Sequence, residues 1–79
     1  MDTTTLDKEI GARVADARDK SGITDSALAE ATGIPRSTLQ RSLLGLRPFR
    51  VSELARLGLA LGVAYAEWLT DPSPNKVPA

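Results

Sequence analysis

The sequence predicts an all-α fold, a compact domain of five helices, from three observations. Apolar residues recur at helical spacing along most of the chain, and no alternating segment is long enough for a strand. Glycine and proline divide the periodic segments into short lengths. With 79 residues, the chain has room for one hydrophobic core. We therefore expect one domain over residues 1–70 and a flexible, proline-rich tail over 71–79.

The first predicted helix has a single apolar face. Its apolar residues are spaced by four, four and three positions: Leu6, Ile10, Val14 and Ala17. Thr5 is suited to cap the start of this helix, and Ser21-Gly22 is expected to end it.

The second predicted helix is short and ends at a glycine. Thr24 is suited to cap it, and it runs to about Thr32 with Leu28 and Ala31 facing inward. Gly33 follows, where a tight turn requires a positive φ.

The third predicted helix runs from about Pro35 to Leu44, since proline is favoured in the first turn of a helix. Gly45 is expected to end it, and residues 46–50 are expected to form a linker.

Two more helices complete the predicted domain. Ser52 is suited to cap the fourth, which ends before Gly62. Its inward residues are expected to be Leu54, Leu57 and Leu61. A short fifth helix carries Tyr65, Trp68 and Leu69.

Residues 24–44 have the pattern of a helix-turn-helix, two short helices joined by a turn that contains glycine. Ala29 is small, as required where the third helix crosses close over the second. Leu28, Ile34 and Leu39 are spaced to pack the two helices together. This is the segment from which we predict function.

The chain contains neither cysteine nor histidine, which excludes disulfides, thiolate or imidazole metal sites and histidine-dependent catalytic triads. The acidic residues show no arrangement typical of catalysis, so we predict a protein that is not an enzyme and needs no metal or small-molecule cofactor. No apolar run is long enough to span a membrane, and the first residues do not resemble a signal peptide. We expect a cytoplasmic protein without a membrane partner.

The formal net charge is zero, but the charges are unevenly distributed. Residues 1–30 hold seven acids and four bases, whereas residues 31–56 hold five arginines and a single acid, Glu53. An uneven solvated surface is the simpler interpretation. Where the arginines lie in the fold must decide between it and a nucleic-acid interface.

Helical rotation of about 100° per residue predicts which face of the third helix is exposed. With Leu39 at the buried centre, the core side holds Ser42, Leu43 and Leu46. The outward side holds Ser37, Gln40, Arg41 and Leu44, with Arg36 projecting from the first turn. Arginine pairs with guanine and glutamine with adenine in the major groove, so this face is suited to read bases.

The chain resembles the lambda-repressor-like family, the Cro/repressor or XRE-type helix-turn-helix regulators, over roughly residues 6–70. The residues that carry the resemblance are Leu28-Ala29-Glu30, Gly33-Ile34, Arg36-Ser37-Thr38-Leu39, Gly45, Pro48, Leu54, Leu57, Ala60 and Leu61-Gly62-Val63. The resemblance implies a five-helix domain that binds double-stranded operator DNA and regulates transcription, commonly as a dimer in phages and bacteria.

The resemblance also implies roles for individual residues. Arg36, Ser37 and Arg41 correspond to positions that contact bases, and Gln40 lies beside them. Contacts with DNA phosphates are expected from Thr24, Thr38, Arg47 and Arg50. For the arginines the alternative is a set of solvated side chains, and Arg56 is expected to be a surface residue or a partner of Glu53.

Five residues depart from the pattern of the family, one of them Gly58 inside the fourth helix, where alanine is usual. Asp25 stands where many members carry a glutamine that contacts phosphate, and a carboxylate would be repelled there. Thr32 and Ser42 occupy positions that are often aliphatic, and Leu43 replaces a frequent glutamate.

Three apolar or aromatic residues have more than one interpretation. Tyr65 and Trp68 either close the core, which we favour, or form a dimer interface. Leu44, on the outward face, contacts a thymine methyl, contacts a partner subunit or is simply tolerated.

Two functions therefore remain open. The first is a small phage or bacterial repressor of the Cro type, which occupies an operator and reads the major groove with the third helix. The second is a protein-interaction module, antitoxin-like or an anti-regulator, that keeps the fold without specific DNA binding. Asp25 and the neutral net charge favour the second, and the acid-free stretch between Glu30 and Glu53 favours the first.

Overall fold

The computed structural model describes residues 3–69, which form five helices and, within this range, no strand. The helices are α1 (Thr3–Ser21), α2 (Asp25–Thr32), α3 (Arg36–Leu43), α4 (Val51–Leu61) and α5 (Ala66–Leu69). The predicted all-α, five-helix fold is therefore confirmed. The predicted tail and the end of the predicted domain at residue 70 lie outside the described residues. No helix between residues 3 and 69 is long and apolar enough to cross a membrane.

Helix α1 is the longest helix and packs against α3, α4 and α5. It begins at Thr3, so Thr5 lies inside the helix and the prediction that Thr5 caps it is wrong. Val14, in the middle of the predicted apolar face, is fully buried, whereas Leu6 near the start of the helix is 40% exposed. The helix ends as predicted, since the Gly22 N–H closes the last turn on the Arg18 carbonyl at 3.0 Å.

Helix α2 is capped at both ends as the sequence predicts. The Thr24 Oγ1 accepts a hydrogen bond from the Ala27 N–H at 3.1 Å. Gly33 has a φ of 74°, and its N–H donates to the Ala29 carbonyl at 2.9 Å. Ala31 is exposed, which contradicts its predicted inward position, because the buried face of α2 lies on Leu28, Ala29 and Thr32.

Helix α3 begins after Pro35 and ends with the two hydrogen bonds of a Schellman motif. The Gly45 N–H donates to the Ser42 carbonyl at 3.1 Å, and the Leu46 N–H donates to the Arg41 carbonyl at 2.9 Å. Because the chain leaves the helix at this turn, Leu46 is 63% exposed. Its predicted position on the core side is wrong.

Helix α4 begins at Val51, so Ser52 lies inside the helix and does not cap it as predicted. The Glu53 carboxylate instead accepts a hydrogen bond from the Arg50 N–H at 2.8 Å, so this side chain caps the start of the helix. Leu54 and Leu57 are buried as predicted, and Leu61 packs at the edge of the core.

The core lies between α1 and the four shorter helices. Its buried apolar residues are Val14, Leu28, Ala29, Ile34, Leu39, Leu43, Leu54, Leu57 and Trp68. Leu39 is fully buried, so the middle of α3 is anchored in this core while its opposite side faces outward. Trp68 is 4% exposed and closes the core as the favoured interpretation predicted, but Tyr65 is 37% exposed and the same prediction is wrong for it.

Candidate nucleic-acid interface

The exposed side of α3 is the side that helical periodicity predicts. Leu39, Ser42 and Leu43 are buried, and the exposed residues of α3 and its cap are Arg36, Ser37, Arg41 and Leu44. Thr38 and Gln40 are half-buried. A helix of eight residues thus presents two arginines and a serine on one side, while the other side holds it in the core.

Gln40 is less accessible than the other predicted base-reading residues. It lines a shallow cleft of about 310 Å³ formed between α1, α2 and α3. The cleft is also lined by Ala15, Arg18, Asp25, Leu43 and Leu44. The side chain of Gln40 therefore lies at the edge of the exposed face and beside the start of α2.

The five arginines of the basic stretch fall into two groups. Arg47 and Arg56 donate hydrogen bonds within the protein. The other three make no ion pair or side-chain hydrogen bond with another residue of 3–69 and are exposed; we call them the free arginines, Arg36, Arg41 and Arg50. They lie on α3 and at the end of the linker after it, where the predicted base and phosphate contacts were placed.

Arg47 has a different environment from the one predicted. Its guanidinium forms a two-point ion pair with the Glu53 carboxylate, with Nη1–Oε1 at 3.0 Å and Nη2–Oε2 at 3.2 Å. Nη1 also donates to the Ser42 Oγ at 3.0 Å. The guanidinium therefore makes three hydrogen bonds within the protein and its charge is paired, while the predicted phosphate contact of Arg47 stays a prediction.

Arg56 is not a partner of Glu53. Its Nη1 donates to the Thr32 carbonyl at 3.4 Å, at the last turn of α2. Glu53 is directed toward Arg47 instead, so the alternative that pairs it with Arg56 is wrong, and Arg56 is exposed, as the other alternative predicts.

Asp25, at the first position of α2, is paired with a residue that the sequence interpretation did not use. The Arg18 Nη1 donates to the Asp25 Oδ1 at 2.7 Å, and both side chains are about a quarter exposed, at 23% and 24%. The hydrogen bonds from Arg18 to Asp25 and Asp19 raise the pKa of the Arg18 guanidinium. Arg18 therefore neutralises the carboxylate that was expected to repel DNA.

The two buried hydroxyls that depart from the family pattern are both hydrogen-bonded. The Thr32 Oγ1 donates to the Leu28 carbonyl at 2.8 Å, and the Ser42 Oγ accepts from Arg47. A buried polar group needs a partner, so a serine at the core side of α3 was the signal in the sequence that a hydrogen-bonding partner lies near it. The spacing of residues along the chain did not indicate that Arg47 is this partner.

The other predicted contact residues occupy several environments. Thr24 is exposed at the start of α2, where its Oγ1 is the cap and its O–H remains a donor for a phosphate. Of the predicted interface residues, Leu44 is 68% exposed and Tyr65 is 37% exposed. Trp68 offers almost no surface to a second subunit, because it is buried in the core.

The ion pair of Glu53 makes a testable contribution to stability at low pH. Partial burial by itself raises the pKa of Glu53, but the Arg47 guanidinium and the Arg50 N–H together hold it below the ordinary value of 4.5. A depressed pKa stabilises the folded state above the unfolded pKa, and this contribution is lost as the pH falls below 4.5 through the folded pKa.

We therefore expect the free-energy difference between wild type and Glu53→Gln to depend on pH. In urea titrations at pH 3–6, wild type should be the more stable protein at pH 6, and the difference should shrink as the pH falls. Arg36→Ala, which removes an exposed arginine but keeps the Arg47–Glu53 ion pair and the Arg50 side chain, serves as the control and should follow the wild-type dependence. A constant difference between wild type and Glu53→Gln would contradict the assignment.

The described part of the chain contains no cluster of acidic residues that could hold a metal ion. What residues 24–44 do present is a helix-turn-helix whose second helix has one buried side and one exposed, partly cationic side. These features define the class of helix-turn-helix DNA-binding domains.

Comparison with known families agrees with this class. The chain matches the model of a family described as "Helix-turn-helix domain" over residues 9–68. It therefore belongs to this helix-turn-helix DNA-binding family, which is XRE-like and consists of DNA-binding regulators that are generally not enzymes. No curated protein is a significant match to the chain.

Proposed function

We propose that the chain is a sequence-specific, double-stranded DNA-binding regulator, a small repressor of the Cro type from a phage or bacterium. It acts in the cytoplasm, occupies an operator and blocks access of polymerase. The observation that carries this proposal is the separation of the arginines. Arg47 and Arg56 donate to an acid or a carbonyl of the protein, and the free arginines lie on α3 and at the end of the linker.

The residues take different parts in DNA binding. Arg36, Ser37 and Arg41 contact base edges from the exposed face of α3, and Gln40 contacts them from the edge of that face. The phosphates are held by Arg50, with Thr24 and Thr38 as neutral donors. Base contacts specify the operator, and phosphate contacts set the register and the dependence on salt.

A homodimer on two inverted half-sites is part of the proposal. Leu44 and Tyr65 are exposed apolar or aromatic side chains available for a subunit contact. Half-sites about one helical turn of DNA apart would support a dimer, and a single asymmetric site would support a monomer.

One observation favours the alternative, a protein-interaction module. Leu44 and Leu46 are 68% and 63% exposed, and they lie at and just after the end of the predicted reading helix. A surface that binds only protein, however, should not bind DNA in a salt-dependent way.

Binding of an arbitrary duplex over a range of salt concentrations separates the two functions. Arg50→Ala should lower the slope of log K against log salt by about 0.9, the value for one lost phosphate contact. Lys20→Ala is the control, since Lys20 is paired with Asp16 at 2.9 Å on α1 and should leave the slope unchanged. Absence of salt-dependent binding by the wild type would favour the protein-interaction module, and an equal slope in wild type and both variants would overturn only the Arg50 contact.

A further inference from the structure

The linker between α3 and α4 is joined to both helices by one guanidinium group. Arg47 Nη1 donates to the Ser42 Oγ in the last turn of α3 and to the Glu53 Oε1 in the first turn of α4, both at 3.0 Å. Nη2 donates to the second Glu53 oxygen at 3.2 Å. A planar group held at three points permits one arrangement of the two helix ends.

Burial makes the three members of this cluster depend on each other. Ser42 is fully buried, and the side chains of Glu53 and Arg47 are 12% and 27% exposed. Loss of Arg47 would leave the Ser42 hydroxyl without its donor and the Glu53 carboxylate without its counter-charge. Removal of one partner is therefore costlier than removal of both.

We propose that Arg47 and Glu53 are positioning residues for DNA reading: they hold the last turn of α3 against α4 and so fix the angle at which α3 meets the major groove. This inference rests on the proposed function. Helix α3 has only eight residues, so a shift at its last turn moves Arg41 directly and tilts the whole exposed face. A small misplacement of a reading helix weakens every base contact at once, because hydrogen bonds depend steeply on angle.

Positioning and phosphate contact predict opposite signs for Glu53. If the cluster acted only through charge, removal of an acid near the interface would strengthen the attraction to DNA. If the cluster positions α3, removal of the same acid weakens binding to the operator while leaving binding to unrelated DNA unchanged or slightly stronger. The isosteric Glu53→Gln variant therefore distinguishes the two roles with little change in shape.

The experiment measures the affinity of each variant for a duplex selected by the wild type and for an unrelated duplex, over a range of salt concentrations. Circular dichroism first establishes conditions in which each variant is fully folded, so that loss of folded protein does not contribute. Glu53→Gln and Arg47→Met should each bind the selected duplex about tenfold more weakly, equivalent to 1.4 kcal/mol. The salt slope and the affinity for the unrelated duplex should stay near wild type.

Two further variants complete the test. The double variant Arg47→Met with Glu53→Gln should lose less than the sum of the single losses, because the pair acts as a unit. Arg47→Lys keeps the charge but not the fork of donors, and should recover only part of the affinity for the selected duplex.

The outcomes separate this inference from the proposed function. Normal binding of the selected duplex by Glu53→Gln would overturn the positioning role alone. So would a salt slope that falls by about 0.9 in Arg47→Met, because that identifies a phosphate contact. Failure of the wild type to select any duplex would overturn the proposed function, and the positioning role with it.

Discussion

Alanine in place of Gly11 is expected to destabilise the fold by about 1–3 kcal/mol, the usual cost of overpacking a close contact. A Cβ at this position would lie 2.7 Å from the carbonyl oxygens of both Ser42 and Leu43. These atoms belong to the backbone of α3, so they cannot move aside like the end of a flexible side chain. Either α1 or the reading helix must shift to admit the methyl group.

The sign of this effect is what makes the prediction sharp. In the interior of an ordinary helix, glycine to alanine stabilises by about 1 kcal/mol. The neighbouring Ala12 is exposed on the same helix and supplies the control. Ala12→Gly should destabilise by about 1 kcal/mol through propensity alone. Urea unfolding of both variants gives the comparison, and a Gly11→Ala protein more stable than wild type would contradict the close packing of α1 on α3.

Arg41→Ala is expected to lose discrimination of about 1–3 kcal/mol at one base pair of the operator. Arg41 is exposed on α3 and has no ion pair or side-chain hydrogen bond with another residue of 3–69, and an arginine in this position can donate two hydrogen bonds to guanine. Truncation should therefore make the affinity insensitive to the identity of a single base pair while the rest of the site is still read.

Competition binding with duplexes changed at one base pair at a time measures this loss. Arg50→Ala is the matched control, since it removes the same charge from the linker and should weaken all duplexes alike. If Arg41→Ala instead weakened all duplexes equally and kept the preference at each position, Arg41 would be a phosphate contact and not a base-reading residue.

The helix-turn-helix could be predicted from the sequence because its determinants are local. Thr24 caps α2 through its own neighbouring turn, and Gly33 adopts the positive φ that glycine allows. The exposed side of α3 follows from helical rotation around Leu39. Each of these features depends on residues a few positions apart, which the order of residues specifies directly.

The ion-pair partners of the charged residues could not be predicted in the same way. Glu53 has three arginines within reach along the chain, Arg47, Arg50 and Arg56. Which guanidinium it pairs with depends on the path of the linker. Arg18 reaches Asp25 because the turn after α1 brings the start of α2 close to the last turns of α1. The prediction that Leu46 lies on the core side was wrong for a related reason. It extended the rotation of the helix past Gly45, where the chain turns away from the helix.

The distinction between paired and free arginines is therefore a result of the fold. Without it, Arg47 and Arg50 are equivalent basic residues of one linker. With it, Arg47 belongs to a cluster that joins α3 to α4, and Arg50 remains available for DNA. Charge counts along a sequence indicate a basic stretch, and only the tertiary contacts show which charges are already neutralised.

Selection of bound duplexes from a random DNA library tests the central claim most directly. The wild type should enrich a defined motif, because the exposed face of α3 carries side chains that can hydrogen-bond to base edges. The matched control is a variant in which the free arginines are all alanine, and it should enrich nothing. Failure of the wild type to enrich a motif, or enrichment of the same motif by the control, would contradict the assignment of α3 as the reading helix.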